Sequence, residues 1–258
     1  MDYNYIKNTA IGAAYGSGKI LCGHLGNLER VDKKGPQDLV TPADIASENH
    51  ILETLREKFP DHDVLAEESG DRVNGKNGCQ WIIDPLDGTT NFAHQLPVFS
   101  VSIAFAKDGQ LMVGVVLNPV TGELFTAVAG QGASLNGRPI TVSGCDRLSE
   151  SLLVTGFPYD VKENTAPYMK RFERCLKEAM GIRRLGSAAL DLCFVACGRF
   201  EGFWEQNLQP WDTAAGTLIA REAGARVTDF SGEPYDPEKK EILATNGHMH
   251  EALRSILT

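Results

Sequence analysis

The chain of 258 residues is 42% hydrophobic, so it can bury a substantial core, and a disordered chain is excluded. A net charge of −9 without any lysine- and arginine-rich run disfavours nucleic acid as the main ligand. The six cysteines form no CxxC pair, and no run approaches the roughly 18 apolar residues of a membrane span. The sequence therefore predicts a soluble, unprocessed cytoplasmic protein with reduced thiols, which does not act at a membrane.

Helices are predicted at the start of the chain. One lies within residues 4–28, and a second covers residues 43–59, where apolar residues recur at helical spacing. Thr41, Pro42 and Asp44 match a capping box with proline at the first helical position. A structural role would therefore be enough to explain Asp44.

Short β-like runs follow the second helix, separated by turns rich in glycine, proline and aspartate. They are DVLAEE, CQWIID, FSVSIAF, LMVGVVL and ELFTAV. We expect them to form an antiparallel meander. From about residue 150, the strands LLVTG, GFWE and ARVTDF alternate with helical segments, which indicates an α/β arrangement.

No linker or low-complexity segment separates these two patterns. The sequence therefore predicts a single unit over residues 1–258. We divide it into an N-terminal α+β half, residues 1–145, and a C-terminal α/β half, residues 146–258, which share a cleft.

The most distinctive segment is WIIDPLDGTTNF, residues 81–92. An apolar strand runs into Asp84, and we expect Pro85 to stop the strand and turn the chain. Because of that turn, Asp84 and Asp87 can face one point, whereas residues three apart on a regular strand face opposite sides. The DxxDGT spacing matches neither the DxD pair of haloacid-dehalogenase phosphatases nor an EF-hand loop.

The residues after Asp87 suit an oxygen-rich site. Gly88 lets backbone pass close to a ligand, and Thr89 and Thr90 supply hydroxyls. A surface turn is the plain alternative, since Asp, Pro and Gly are common in turns for structural reasons. Two carboxylates, a glycine and two threonines directly after a hydrophobic strand favour a metal or phosphate site.

Three further candidates each have a plain alternative. Glu67 and Glu68 end the DVLA run, where one of them can face a shared ion and a solvated loop is the alternative. Asp212 is predicted to precede an amphipathic helix, where it can serve as an N-cap and where a substrate phosphate could share the helix end. Lys33 either contacts phosphate or solubilises a loop.

Taken together, these segments resemble the inositol monophosphatase family of lithium-sensitive, magnesium-dependent phosphatases. The similarity covers most of the chain, in order, through DLVTPAD, LAEES, WIIDPLDGTTNFAHQLPVFSVSIAF, GSAALDLCFVACGRFEGFWE and PWDTAAGTLIAREAGARVTDF. It implies a layered αβαβα sandwich of the inositol monophosphatase and fructose-1,6-bisphosphatase type. It also implies a phosphoric monoester hydrolase that forms a homodimer.

The resemblance also implies roles for individual residues. Thr89 and Asp44 orient and deprotonate an attacking water, which displaces the leaving group in line without a phosphoenzyme. Two or three Mg²⁺ ions are implied, with Li⁺ as an inhibitor, and their ligands are Glu67, Asp84, the Leu86 carbonyl, Asp87 and Asp212. The substrate contacts are Asp87, Gly88, Thr89, Thr90, Gly186, Ser187, Ala188, Glu205 and Asp212, and Lys33 aligns less securely near a metal-binding loop.

The implied substrate is a small phosphorylated polyol or sugar. Myo-inositol monophosphate is the first choice because TTNFAHQLPVFSVSIAF and ALDLCFVACGRFEGFWE most resemble the inositol monophosphatase branch. Glu205 could accept hydrogen bonds from substrate hydroxyls, which favours a polyol phosphate. Relatives in the superfamily hydrolyse 3′-phosphoadenosine 5′-phosphate, fructose 1,6-bisphosphate or histidinol phosphate, and these remain alternatives. An interaction role is a further alternative, because one bacterial relative also acts with the transcription machinery. Arg183 and Arg184 form a compact basic pair, for which exposure on a β-edge is a sufficient explanation.

Overall fold

The structure, a computed structural model, describes residues 1–28, 30–33, 39–70, 77–236 and 239–258, and only the backbone of Lys33. The α-helices in these residues are α1 (Tyr3–His24), α2 (Pro42–Lys58), α3 (Thr89–Ala93), α4 (Thr165–Glu178), α5 (Ala188–Ala196), α6 (Pro210–Glu222) and α7 (His250–Leu257). The strands are β1 (Asp32–Lys33), β2 (Leu39–Val40), β3 (Asp63–Ala66), β4 (Cys79–Asp87), β5 (Ser100–Lys107), β6 (Gln110–Asn118), β7 (Glu123–Val128), β8 (Ala133–Leu135), β9 (Arg138–Ile140), β10 (Leu152–Thr155), β11 (Gly181–Arg183), β12 (Gly202–Gln206), β13 (Arg226–Thr228) and β14 (Glu241–Thr245).

The strands form two main sheets and a small β1–β2 ribbon. The first sheet has seven strands in the order β3-β4-β5-β6-β7-β8-β9, and the second has five in the order β11-β10-β12-β14-β13. Pairing from β4 to β9 is antiparallel, as predicted for the meander. The prediction is wrong for β3, which runs parallel to β4. A parallel pair needs a crossover, and residues 67–78 provide its length.

Alternating side chains divide the core into layers. On β4, Trp81 and Ile83 pack with α1 and α2, whereas Ile82 faces the space between the two sheets. On β12, Phe203 faces that same space, whereas Trp204 packs with residues of α4 and α7 on the outer side. The order of layers is helices, sheet, helices, sheet, helices, which confirms the predicted αβαβα sandwich.

Helix α6 lies in the middle layer. Its residues from Thr213 to Ala220 are all buried, and it contacts strands β4 to β8 of the first sheet and β13 of the second. The sequence of this stretch, TAAGTLIA, contains only apolar residues and two threonines, which suits a helix that is buried on every side. Helix α6 therefore joins the two sheets and carries its first turn to the boundary between them.

No helix within the described ranges is long and apolar enough to cross a membrane. All six cysteines are free, and Cys79, Cys175 and Cys193 are buried. Cys193 packs in the apolar core, and this burial raises the pKa of its thiol well above the ordinary value.

His250 at the start of α7 gives a prediction for the pH dependence of stability. Its side chain is 1% exposed, and its two ring nitrogens each lie 2.9 Å from a hydroxyl, that of Thr228 or of Thr245. Burial lowers its pKa to about 4. The unfolded chain, with a histidine pKa of about 6.5, therefore binds a proton that the folded state does not, and stability falls as pH drops from about 6.5 to about 4.

We expect this single group to remove about 3 kcal/mol of unfolding free energy across that window. Urea denaturation at pH 7 and pH 4 measures the loss in the wild type and in His250→Gln, where it should be smaller. The exposed His248 supplies the matched control, His248→Gln. Equal pH dependence in all three proteins would contradict the assignment.

Candidate active site

The two aspartates of the DPLD segment lie on one strand, and a β-bulge places them on the same side. Asp84 pairs with Ser102 and Asp87 with Ser100, so β4 carries one extra residue over this stretch. The prediction that Pro85 stops the strand is wrong, because β4 continues to Asp87. Proline has no N–H for the ladder, and the bulge accommodates it within the strand. Both carboxyl groups are buried and line one cavity.

Glu67 comes to lie beside Asp84 because β3 is parallel to β4. Ala66 is in register with Ile83, and the next amide, that of Glu67, donates to the Ile83 carbonyl at 3.2 Å. An antiparallel β3 would have ended at the opposite end of β4. Of the two adjacent glutamates, Glu67 lines the cavity that contains Asp84.

Thr89 and Asp44 form a hydrogen-bonded pair at the wall of this cavity. The Thr89 hydroxyl donates to Asp44 Oδ1 at 3.1 Å, and it also lies 3.1 Å from the carbonyl oxygen of Leu86. A hydroxyl has one proton, and a carboxylate is the stronger acceptor. Donation to Asp44 leaves a lone pair on Thr89 that can accept a proton from a group inside the cavity.

Asp44 is held rigidly by the cap of α2. Its Oδ2 accepts hydrogen bonds from the backbone N–H of Thr41 at 2.8 Å and from the Thr41 hydroxyl at 2.6 Å, so the predicted capping box is present. The side chain is fully buried, and burial raises its pKa, whereas the hydrogen bonds from Thr41 and Thr89 oppose that rise. A raised pKa makes Asp44 a better proton acceptor.

Asp212 has the same local geometry at the start of α6. The interpretation of Asp212 as an N-cap before the helix is wrong, because α6 begins at Pro210 and its N-cap is Gln209. Asp212 is the third helical residue, and its Oδ2 accepts the backbone N–H of Gln209 at 2.7 Å. In α2 and in α6, therefore, proline opens the helix and one oxygen of the following aspartate is used by the cap.

The cavity has a volume of about 400 Å³ and brings together most of the predicted site residues. From the predicted set it contains Glu67, Asp84, Leu86, Asp87, Gly88, Thr89, Thr90, Gly186, Ser187, Ala188, Glu205 and Asp212. Asp44 lies behind Thr89, and the side chain of Lys33 lies outside the described residues. Residues from both sides of position 145 line the cavity.

The carboxyl groups of Glu67, Asp84, Asp87 and Asp212 line the cavity together and repel one another when ionised. Burial raises the pKa of Asp84 well above its ordinary value, and the charges of Glu67, Asp87 and Asp212 raise it further. Burial likewise raises the pKa of Asp212, to which Asp87 and Glu67 add. The donors are hard oxygens, with no thiol or imidazole among the described lining residues, and this set fits Mg²⁺.

The carboxylates of the cavity do not form a ready-made metal-binding arrangement. Within the described ranges, no three His, Cys, Asp or Glu side chains are placed so that they could hold a metal ion as they stand. Binding a cation there would require the carboxyl groups to close up, which their mutual repulsion opposes until a positive charge is present.

Asp87 also joins the first sheet to α5. Its Oδ2 accepts hydrogen bonds from the Ser187 hydroxyl at 2.5 Å and the Ala189 amide at 2.9 Å. Burial raises its pKa to about 6, and the hydrogen bonds from Ser187 and Ala189 limit the rise. The carboxyl group that faces the cavity is thus fixed by a helix of the second half of the chain.

Close backbone packing positions the loop before α5. Gly88 has φ of +98°, and a Cβ there would lie 3.1 Å from the carbonyl oxygens of Gly186 and Val98. The amide nitrogen of Asn91 donates to the carbonyls of Val98 at 2.7 Å and Leu185 at 2.8 Å. Asn91 was not predicted as a site residue, and its role depends on contacts that no local pattern reveals.

Glu205, Arg184 and Asp191 form a second group of ionisable side chains. Burial raises the pKa of Glu205 to about 8, although Arg184 opposes the rise, so this carboxyl group is largely protonated at neutral pH. A protonated carboxyl group can both donate and accept hydrogen bonds with a hydroxyl. Arg184 lines the cavity, whereas the sequence favoured a plain surface role for it.

Asp191 was also missed, and it gives a second prediction about stability. It is fully buried, and neither carboxyl oxygen has a hydrogen-bond partner among the described residues. Burial raises its pKa well above the ordinary value, and Glu205 and Asp87 add to the rise. The folded state therefore holds a proton that the unfolded chain releases above about pH 4, so this contribution to stability is lost as pH rises.

Because asparagine does not titrate, Asp191→Asn should gain unfolding free energy relative to the wild type as pH rises from about 4 to 8. Urea denaturation across this range measures the difference. An exposed control, Asp146→Asn, should track the wild type. If the gap between Asp191→Asn and the wild type does not grow with pH, the buried acid is not protonated in the folded state.

Comparison with known proteins agrees with this fold. The chain is 48% identical over 233 residues to an inositol-1-monophosphatase of Synechocystis, covering 90% of this chain and 81% of the relative. It is 44% identical over 248 residues to the Nus factor SuhB of Escherichia coli K12, covering 95% and 93%. It superposes on the inositol monophosphatase structure from Anabaena with a TM-score of 0.91 at 45% identity, covering 100% and 96%.

The fold and these matches define a phosphoric monoester hydrolase. Residues 2–258 match the model of the inositol monophosphatase family. The chain belongs to that family.

Proposed function

We propose that the protein hydrolyses small phosphate monoesters in a Mg²⁺-dependent reaction, with myo-inositol monophosphate as its substrate. The observation that carries the proposal is the single cavity that combines the carboxyl groups of Asp84, Asp87 and Asp212 with the Thr89–Asp44 pair. The relative named inositol-1-monophosphatase supports the choice of substrate.

Two groups of oxygens would hold the cations. We assign one ion to Glu67, Asp84 and the Leu86 carbonyl, and another to Asp84, Asp87 and Asp212, with Asp84 shared. When bound, Mg²⁺ supplies positive charge that activates water and stabilises the charge on the phosphoryl and leaving-group oxygens.

Thr89 and Asp44 would move the proton of the attacking water. The Thr89 hydroxyl donates to Asp44 Oδ1, so its lone pair can accept a hydrogen bond from water in the cavity. As the water attacks phosphorus in line, the P–O bond to the alcohol breaks and the alcohol oxygen leaves on the opposite side, where it takes up a proton from solvent. The proton of the attacking water passes to Thr89 Oγ1 while the Thr89 proton passes to Asp44. Thr41 holds Asp44 in place through its other oxygen, so the acceptor does not turn away.

Another part of the cavity lining would bind the alcohol part of the substrate. Glu205, protonated at neutral pH, can donate to one substrate oxygen and accept from a hydroxyl. We place the phosphate by Gly88, Thr89 and Thr90, and the polyol by residues 186–188 and Glu205. The cavity of about 400 Å³ has room for a sugar-sized ester.

We also propose that residues 1–145 and 146–258 work as two halves of one unit in a cytoplasmic homodimer that Li⁺ inhibits. Support for the two halves comes from the cavity lining, to which both contribute. Support for the dimer and the lithium effect comes from the family resemblance. Light scattering coupled to gel filtration tests the dimer.

Phosphate release from a panel of esters tests the function. The panel contains inositol 1-phosphate, 3′-phosphoadenosine 5′-phosphate, fructose 1,6-bisphosphate and histidinol phosphate, each with EDTA, with Mg²⁺, and with Mg²⁺ plus Li⁺. We expect Mg²⁺-dependent release that is fastest with inositol 1-phosphate. No release from any ester, or a trapped aspartyl-phosphate, would contradict the proposal.

An interaction role with the transcription machinery is the second candidate. The relative named Nus factor SuhB favours it. Tight binding to RNA polymerase together with no turnover on the whole panel would support this role in place of the phosphatase.

A further inference from the structure

Helix α2 carries polar side chains where an ordinary surface helix carries apolar ones. Asp44, Ser47, Glu48 and Ile51 follow one another at the i, i+3, i+4 and i+7 positions, so they share one face of the helix. All four are buried, with exposures of 0%, 0%, 4% and 0%. Buried polar groups need hydrogen-bond partners, so the hydrogen bonds of these side chains show which segments the helix holds in place.

Glu48 holds the segment that contains Glu67. The backbone amides of Glu68 and Ser69 donate to the two carboxyl oxygens of Glu48, each at 2.8 Å. The amides on either side, those of Glu67 and Gly70, donate to carbonyl oxygens at 3.2 Å and 3.1 Å. Four consecutive amides are therefore occupied, and the backbone that carries the Glu67 side chain is fixed on both sides.

Ser47 holds the bulge of β4. Its hydroxyl donates to the carbonyl oxygen of Pro85 at 2.8 Å, and it lies 2.5 Å from the hydroxyl of Ser17 in α1. The N–H of the same peptide group, that of Leu86, donates to Asp84 Oδ1 at 2.9 Å. The peptide group that joins Pro85 to Leu86 is thus held at its oxygen from α2 and at its nitrogen from Asp84, and it directly precedes the Leu86 carbonyl.

We propose that Glu48 and Ser47 are positioning residues for the cation site, through which α2 sets the spacing of Glu67 and the Leu86 carbonyl. With Asp44, which holds Thr89, the buried face of α2 then reaches three separate segments of the site. This inference rests on the proposed function, because it concerns the cation that the carboxylates would bind.

Cation binding, measured without substrate, tests the proposal. In Glu48→Gln the side chain keeps one acceptor oxygen but turns an NH₂ group towards a backbone N–H, so the 67–70 segment loses its two-point hold. Isothermal titration with Mg²⁺ should show an affinity about 10- to 100-fold lower than in the wild type. Turnover should recover as Mg²⁺ is raised, with the KM for the ester near its wild-type value.

Ser47→Ala removes the hydrogen bond to the Pro85 carbonyl, together with the one to Ser17, and should lower the Mg²⁺ affinity by about 2- to 10-fold. The exposed Glu53 on the same helix supplies the matched control, Glu53→Gln, which should bind Mg²⁺ like the wild type. Circular dichroism monitors folding of each variant.

The outcomes separate the inference from the function on which it rests. A wild type that binds no Mg²⁺ overturns both. A wild type that binds Mg²⁺, together with a folded Glu48→Gln of equal affinity, overturns the inference alone, since Glu48 would then serve stability only. If Glu48→Gln does not fold, Ser47→Ala decides, and an unchanged affinity in that variant overturns the proposal.

Discussion

Replacing Asp84 with asparagine is expected to lower phosphatase turnover by about 10³-fold or more, because Asp84 is the ligand that both cations would share and their charge stabilisation amounts to several kcal/mol. The same change should raise the melting temperature of the metal-free protein. Burial and three neighbouring carboxyl groups raise the pKa of Asp84, so ionising it in the folded state costs free energy that asparagine avoids. Asparagine Oδ1 can still accept the Leu86 amide.

Two measurements with opposite signs make this a demanding test. Thermal denaturation with and without Mg²⁺ should show a higher melting temperature for metal-free Asp84→Asn than for the metal-free wild type. Mg²⁺ should raise the melting temperature of the wild type but not that of Asp84→Asn. The exposed Asp146→Asn should match the wild type in both assays. Near-normal Mg²⁺-dependent turnover in Asp84→Asn would contradict the assignment of Asp84.

Replacing Thr89 with valine is expected to lower kcat by about 10²- to 10⁴-fold with a small change in KM, because the change removes the hydroxyl that links water to Asp44 and keeps the shape of the side chain. Thr89→Ser retains the hydroxyl and should retain most of the activity. Thr121→Val, at an exposed position, is the matched control.

A double-mutant cycle separates proton transfer from packing. If Thr89 and Asp44 act through their 3.1 Å hydrogen bond, adding Asp44→Asn to Thr89→Val should cost little further activity. Fully additive losses would mean that the two residues act independently. Cation affinity, measured by titration, should change little in Thr89→Val.

Long strands and helices could be predicted from the sequence because their hydrophobic periodicity is local. The course of the strand that contains Pro85 could not be predicted in this way. The proline correctly marked an irregularity, but whether a chain turns away or continues through a bulge depends on its partner strand, here Ser100 and Ser102 of β5. The parallel direction of β3 was missed for a similar reason, and it is what brings Glu67 beside Asp84.

The residues that sequence reasoning missed act through distant contacts. Asn91 bonds to Leu185, 94 positions away, and Asp191 interacts with Glu205 across the interior. Glu48 did have a local signal, since it shares a helix face with Ile51, where a buried charge is unusual unless it is bonded. A search for polar residues on the apolar stripe of each predicted helix would have found it.

The position of α6 has a consequence for synthesis of the protein in the cell. One face of the first sheet is covered by α6, yet about 100 residues separate the end of β6 at Asn118 from the end of α6 at Glu222. At about 5 to 20 residues per second, the ribosome needs roughly 5 to 20 s to make that stretch. During this interval, the newly made strands present an uncovered apolar face, which makes the nascent chain a natural client for chaperones.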